Sequence, residues 1–349
     1  MTVSVRSFAK INLGLRIGAL RADGFHELLT VYQTIGLHDV IRVSVKRGTG
    51  IEILCADPRV PRDESNTCYR IADHTMRALD AKGRVVIEIE KRLPVQGGLG
   101  GASANAVATL LGLERALHKT LPMDARLQIA AQVGSDLPLF LVGGTILGVG
   151  RGEQVYPLPD LPVTACVVVT PEVGVSTPNA FAQWDRRAQG AGGAAIAAQF
   201  LKRNQFLTRK KKIDASKLTA SPTSDRIIKL GCGLSAWLSE HYSGAPSYGF
   251  ARRGRAENPL LALVRAGIEN DFEQVVFPQY PELGEGKEAL VRAGAKYASL
   301  SGSGSTLYGL FASREAAAKA AARLRRLGWA AMATATLPRR PYWSRIFDC

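Results

Sequence analysis

The residues of this chain best suited to chemistry are the run Pro94-Val95-Gln96-Gly97-Gly98-Leu99-Gly100-Gly101-Ala102-Ser103-Ala104-Asn105, a glycine-dense loop that leads straight into an apolar-periodic segment. Glycines let backbone N–H groups turn inward and approach an anion, and the unpaired amides of a helix start add partial positive charge. The chemistry implied is phosphate binding. Two familiar nucleotide loops are excluded by inspection. No Gly-Lys-Ser/Thr follows the glycines, and Gly98-Leu99-Gly100 has Ser103 where a dinucleotide fingerprint needs its third glycine. Taken alone, the cluster also fits an ordinary surface loop capping a core helix.

The flanking residues say what positions this loop. Val85, Ile87 and Ile89 alternate with Val86, Glu88 and Glu90, which predicts a strand, and Val107, Leu110, Leu111, Leu113 and Leu117 recur at helical spacing after the loop. Further strands are expected over Ile41 to Lys46, Ile51 to Cys55 and Val163 to Thr170. A helix is expected from Asp124 to Val133, ending at Gly134, and another from Ser135, with Ser135 as its cap and Asp136 in its first turn. Prolines 157, 159 and 162 mark a domain boundary near Asp160. Residues 187–255 turn Ala/Gly-rich, then basic, then Ser/Thr-rich, and read as an insertion, helical near 227–241. Beyond it, Tyr297 to Ser301 and Thr306 to Phe311 read as strands around a second loop, Ser301-Gly302-Ser303-Gly304-Ser305. The last helix, Arg314 to Leu327, carries Ala317, Ala320, Ala321 and Leu324 on one face.

With 349 residues, 46% of them hydrophobic, the chain can bury a sizeable core, and its length suggests two domains: 1–160 and 161–349. It lacks an apolar stretch of about 18 residues that could span a membrane, and its first residues lack a secretion-signal core, so a cytoplasmic place is expected. Five scattered cysteines, without metal-ligand spacing, predict reduced thiols and neither a disulfide framework nor a zinc site. The charge of +15 suits nucleic acid, a membrane surface or polyphosphate substrates. Much of the excess lies away from the glycine loops, at Lys202, Arg203, Arg209, Lys210, Lys211 and Lys212 and again at Arg323, Arg325, Arg326, Arg339, Arg340 and Arg345. Both clusters read as solvated faces, and no nucleic-acid or membrane partner is expected.

Three segments in order, Ala9-Lys10-Ile11-Asn12-Leu13, Pro94 to Asn105 and Ser301 to Ser305, together resemble the GHMP kinases, a family of small-molecule kinases. Arg21 to Leu28 with Gln33, Gly134 to Pro138, Gly150 to Glu153 and Asn270 to Glu273 extend the likeness toward a member whose acceptor carries a cytidine diphosphate. The resemblance covers residues 5 to about 185 and 265 to 312, and leaves the insertion unmatched. It implies a two-domain α+β fold. The N-terminal half would be a ribosomal-S5-like ATP-binding domain with a left-handed crossover, and the C-terminal half ferredoxin-like.

Kinase chemistry needs phosphates held in line with a hydroxyl, neutralised charge and a proton acceptor. On this resemblance the loop Pro94 to Ala104 wraps the β- and γ-phosphates of ATP, with Gly100 and Gly101 least tolerant of a side chain. The Ser103 hydroxyl meets phosphate or its Mg2+. Asp136 is the expected proton acceptor, although helix-start acids often only satisfy local amides. Lys10 is expected to orient it, because burying a lysine unpaired in an apolar strand is costly. The resemblance puts Phe25 on one face of a cytosine ring, His26 at its edge and Phe181 as a second stacking aromatic, with Asn12 near the phosphate-accepting end or the diphosphate and Thr177 among the substrate-binding residues. Either phenylalanine would otherwise read as core.

The chain departs from the family pattern at Ala102 and Ala104, where Gly and Ser are usual, at Phe25, commonly Tyr, and in its long insertion. No acidic metal ligand follows Ser103 on the expected helix. Two other readings stay open. One is a GHMP kinase acting on homoserine, mevalonate or a sugar; the other is a non-enzymatic RNA-binding protein. The oligomeric state is not legible.

Overall fold

The computed structural model describes residues 1–95, 97–190 and 268–347. The helix expected near 227–241, the first basic cluster, most of the insertion and Gln96 lie outside them.

Two long strands organise the first half, β1 (Thr2–Leu20) and β2 (His26–Lys46), paired as an antiparallel hairpin. Along its other edge, β2 serves two partners in turn. Its first half pairs with β5 (Thr145–Val149), which continues to β6 (Gln154–Pro157). Its second half pairs with β4 (Arg84–Glu90), which lies parallel to β3 (Ile51–Cys55). The parallel pair needs a crossover, supplied by α1 (Thr67–Ala78), whose first turn is capped by Asn66 accepting from the Cys68 N–H. The alternation read in the sequence places Val85, Ile87 and Ile89 opposite Val45, Val43 and Ile41, all in one core beneath α2 (Gly101–Leu117).

The second sheet runs β10-β7-β9-β8, antiparallel throughout, from β7 (Ala165–Val169), β8 (Tyr297–Leu300), β9 (Leu307–Phe311) and β10 (Ala331–Ala335). Numbered within the sheet in chain order, this is 4-1-3-2, the split β-α-β order of ferredoxin-like folds. Its helices are α5 (Thr177–Gly190), α6 (Glu273–Gln279), α7 (Pro281–Arg292) and α8 (Arg314–Arg326). Ser313 caps α8, Glu315 lies in its first turn, and Arg323, Arg325 and Arg326 fill its last turn, where cations oppose the helix dipole. Ala317, Ala320, Ala321 and Leu324 are its buried face.

A third apolar cluster joins the sheets: Ala9, Ile11 and Leu13 of β1 and Val31 and Ile35 of β2 pack against Cys166, Val168, Tyr308 and Leu310. Because strand side chains alternate, burying Ala9, Ile11 and Leu13 turns Lys10 and Asn12 the other way. After β10 the chain leaves the second sheet, and Leu337, Tyr342 and Ile346 pack into the first core around α9 (Arg339–Arg345). Packing therefore does not follow the 160/161 division at the C-terminus.

One helix start differs from expectation. α3 (Met123–Val133) ends at Gly134, but Ser135 and Asp136 form a turn, and α4 begins only at Pro138 (Pro138–Val142). Proline fits the first helical position, with φ preset and no N–H to satisfy. Asp136 thus stands two residues before a short helix, outside its first turn.

Candidate active site

The glycine loop is held from both sides. The Lys10 N–H donates to the Leu99 carbonyl at 3.0 Å, and the Thr306 N–H donates to the Gly97 carbonyl at 3.1 Å. The Ser301 hydroxyl donates to the Gly98 carbonyl at 2.9 Å, and the Asn270 side-chain amide donates to the carbonyls of Leu300 and Gly302 at 2.9 and 2.7 Å. The second glycine loop is therefore a brace for the first. Gly98 and Gly100 have φ of +76° and +70°. A Cβ on Gly98 would run into the Ser301 carbonyl oxygen, and one on Gly100 would meet Phe140 Cζ at 2.9 Å. Gly101, expected to share this intolerance, has no positive φ, and its nearest neighbour would be Lys91 Nζ at 3.4 Å. On backbone grounds the intolerant pair is Gly98 and Gly100. Gly100 is also the N-cap of α2, so the N–H groups of Gly101, Ala102 and Ser103 open the helix without intrahelical acceptors.

At the foot of this loop lies Lys10, only 3% exposed. Its ammonium donates to Asn12 Oδ1 at 2.7 Å and to the Gly98 carbonyl at 3.0 Å, and stands 3.5 Å from Asp136 Oδ2. An ammonium has three N–H bonds, and each has a partner. Asn12 is equally committed, donating to Thr30 Oγ1 at 2.8 Å. The other Asp136 oxygen accepts from Tyr32 Oη at 3.1 Å. Asp136 itself is 37% exposed, open to a cavity of about 410 Å3 whose walls include Lys10, Asn12, Tyr32, Ser103, Thr177 and Ser303. Thr177 Oγ1 is 2.7 Å from Ser303 Oγ, tying α5 to the second glycine loop.

The far end of the cavity is aromatic. Phe25 is 51% exposed, with the Arg151 guanidinium 4.9 Å from its ring centre, and the Arg151 N–H donates to Glu153 Oε2. His26 is buried, its ring nearly parallel to Phe181 at 5.0 Å, and its Nε2 lies 2.8 Å from Asp185 Oδ1. A carboxylate only accepts, so Nε2 carries the proton. Phe181 stacks on His26 and lies in a T-shaped contact with Phe272 at 4.9 Å. The residues expected at a base are thus gathered at one end, with Phe181 stacked on His26.

On the other side of the loop lies a second cavity, about 350 Å3, shared by Gly98, Gly100 and Ser103 and walled by Lys91, Pro94, Val95, Asn66 and Cys68. Burial pushes the Cys68 thiol up to about 12, so it is protonated and inert there. Asp39, completely buried, secures this region, accepting from Lys91 Nζ, the Arg92 and Leu93 N–H groups and the Asn105 side-chain amide. Asp39, Tyr32 and Asp185 escaped the sequence reading, and Arg151 entered it only within the Gly150 to Glu153 segment, without a role. Tyr32 reaches the site through its pairing opposite Asn12 of β1, which no local pattern shows.

Two sheets in this order, with a braced glycine loop between a nucleotide-sized cavity and a carboxylate–ammonium pair, define a GHMP kinase. Residues 66–144 match the GHMP kinases N terminal domain and residues 256–328 the GHMP kinases C terminal. Within that class the chain is 36% identical over 312 residues to the 4-diphosphocytidyl-2-C-methyl-D-erythritol kinase of Solibacter usitatus, covering 89% of this chain and 82% of that protein. It is 34% identical over 319 residues to the protein of the same name from a Synechococcus strain, covering 91% and 88%. The chain belongs to this family of ATP-dependent kinases. A crystal structure of 4-(cytidine 5'-diphospho)-2C-methyl-D-erythritol kinase superposes with a TM-score of 0.65 at 26% identity, covering 95% of this chain and 98% of that one. The homoserine kinase of Cytophaga hutchinsonii gives 0.66 at 19% identity, with 97% and 95% covered, a likeness of fold alone.

Proposed function

We propose that the chain transfers the γ-phosphoryl group of ATP to the 2-hydroxyl of 4-diphosphocytidyl-2-C-methyl-D-erythritol, a step of the non-mevalonate route to isoprenoid precursors. The observation that carries this reading is the placement of the Lys10–Asp136 pair, 3.5 Å apart, at the junction of the glycine loop and a cavity that ends in Phe25, His26 and Phe181. A small aliphatic acceptor such as homoserine or mevalonate has no use for that aromatic end.

In the reaction, amides of Gly97 to Ala104 hold the β- and γ-phosphates, with Pro94 and Val95 completing the wrap. The acceptor's 2-hydroxyl oxygen attacks the γ-phosphorus, the bond to the β-bridging oxygen breaks to release ADP, and the hydroxyl proton passes to Asp136. Lys10 keeps that carboxylate aimed, and its charge offsets negative charge as the phosphoryl group moves. Phe25, His26 and Phe181 bind the cytosine, while Asn12 and Thr177 border the erythritol and diphosphate. The fit to Mg2+ is limited. The described residues hold no group of three or more His, Cys, Asp or Glu able to ligate a metal, and the Ser103 hydroxyl is the single hard donor proposed at the phosphates. That suits a Mg2+ carried by the nucleotide's own oxygens, where it neutralises phosphate charge. We further read residues 1–160 as the ATP-binding unit and 161–349 as its partner, acting in the cytoplasm on a small molecule without nucleic acid or membrane.

The test is an ADP-coupled assay with the cytidine substrate beside homoserine, mevalonate and a sugar, repeated with Asp136→Ala and Lys10→Ala. Turnover of the cytidine substrate alone, lost in both variants, is expected. Preference for another acceptor would refute the specificity, and salt-sensitive RNA binding without ADP release would refute the enzyme reading.

A further inference from the structure

Tyr32 is a polar group that the mechanism above leaves without a task. Its ring is buried in β2, with the side chain 2% exposed, yet its hydroxyl emerges beside the reacting end of the cavity and donates to Asp136 Oδ1 at 3.1 Å. The fold makes deliberate room for it. Opposite β2, the strands β5 and β6 and their turn offer glycines where side chains would collide. A Cβ on Gly148 would meet Tyr32 Cε2 at 2.5 Å, and one on Gly152 would meet Tyr32 Oη at the same distance. The Lys10 ammonium lies 5.6 Å from the Tyr32 ring centre, on the side of the carboxylate's other oxygen.

We infer that Tyr32 is a positioning residue for phosphoryl transfer, holding Asp136 Oδ1 through its hydroxyl while Lys10 holds Oδ2, so that the carboxylate presents one fixed lone pair to the acceptor alcohol. The inference rests on the proposed role of Asp136 as proton acceptor. Two anchors on one carboxylate remove its freedom to rotate, and a hydrogen bond donated to a charged group is stronger than one between neutral groups. Tyr32 is not itself the base. Burial, and then the neighbouring Asp136 charge, push its phenol well above the ordinary value, so it stays protonated and can only donate to the carboxylate. The charged partner of this carboxylate is Lys10 from β1, whereas Arg151 and Glu153, on either side of Gly152, pair with each other.

The test is Tyr32→Phe, which keeps the ring and removes the oxygen, assayed with the cytidine substrate and checked for folding by thermal melt. Its kcat should fall about tenfold, as expected for losing a charge-assisted hydrogen bond. KM for the cytidine substrate and for ATP should hold. A kcat that stays at the wild-type value, or a loss carried mainly by KM, overturns the inference. Gly152→Ala gives a second arm, made in wild type and in Tyr32→Phe. Its added methyl should cost more where the hydroxyl is present, and an equal loss of kcat in both backgrounds would also overturn it. Asp136→Asn separates the two proposals. If it remains active the proton-acceptor reading fails; if it is dead while Tyr32→Phe keeps the wild-type kcat, only the role of Tyr32 fails.

Discussion

The two ends of the cavity beside Asp136 are built by different means. At the transfer end Lys10, Asn12, Tyr32 and Asp136 are bound to one another and to the glycine loop, and three of the four are buried. At the base end Phe25 is half exposed, and its ring is met by an arginine that also answers to Glu153. Chemistry that stabilises a transition state requires groups fixed before the substrate arrives, since any reorganisation is charged to the barrier. Stacking on a base needs only a ring at the right height. The contrast predicts that substitutions at the first end lower kcat and those at the second raise KM.

The largest test of that division is Asp136→Asn, which keeps shape and removes basicity. Its kcat should fall by about 10^2- to 10^4-fold, the usual scale of a general base, with KM for both substrates nearly unchanged. Steady-state kinetics would check this, and a variant impaired mainly in KM would erase the distinction between the ends.

Next in size is the glycine loop. Gly98→Ala places a methyl against a backbone carbonyl that cannot step aside, at φ +76°. It should lose about 2–3 kcal/mol of stability in urea unfolding, from strain and overpacking together, and bind ATP poorly. Gly101→Ala is the sharpening partner, since its methyl meets nothing closer than 3.4 Å. It should unfold like wild type, so that any rise in its KM for ATP reports crowding of the phosphates themselves.

How far the sequence could be read follows the same divide. The loop Gly97–Gly101 is local, and its glycines, strand and helix are neighbours in the chain, so the strand–loop–helix unit was legible from the string. Lys10 was legible because a cation in an apolar strand demands partners. Its actual partners come from positions 12, 98 and 136, and only the family resemblance connected it to Asp136. The helix start was misplaced because Ser135 offers a good cap in sequence, whereas Pro138 sets the first turn in space. Asp39 and Tyr32 were invisible for a deeper reason. An acid after a histidine and a tyrosine in a strand look like surface and core until β2 is laid beside β1, β4 and β5. The return of Leu337, Tyr342 and Ile346 to the first core has no local signature either.

At the base end, Phe25→Ala should raise KM for the cytidine substrate about tenfold, within the 1–3 kcal/mol of one base-aromatic stack, and leave kcat and the melting temperature close to wild type. A fall in kcat of the same size would mean that the base end also places the hydroxyl, and the two ends would then act as one.

The smallest effect separates buried from exposed in a different way. Tyr32, Tyr308 and Tyr342 are raised above the ordinary tyrosine value by burial, and Tyr297, Cys68 and Cys166 are pushed up to about 12 by the same cause. In the unfolded chain these groups release protons at their ordinary values, 10.0 for tyrosine and 9.0 for cysteine. Between those values and the raised ones the folded state therefore holds more protons. Their contribution to stability is complete below about pH 9 and declines as pH rises toward the folded values, by about 1.4 kcal/mol per pH unit for each group in its window. Urea unfolding from about pH 8 to 11 should show that decline. Tyr32→Phe should make it shallower by one group's share, while Phe25→Ala, at the exposed end, should leave its slope untouched. A stability that stays level through this range would mean that the phenols and thiols ionise as freely in the fold as in water, and that the transfer end is not sealed in the way its tyrosine requires.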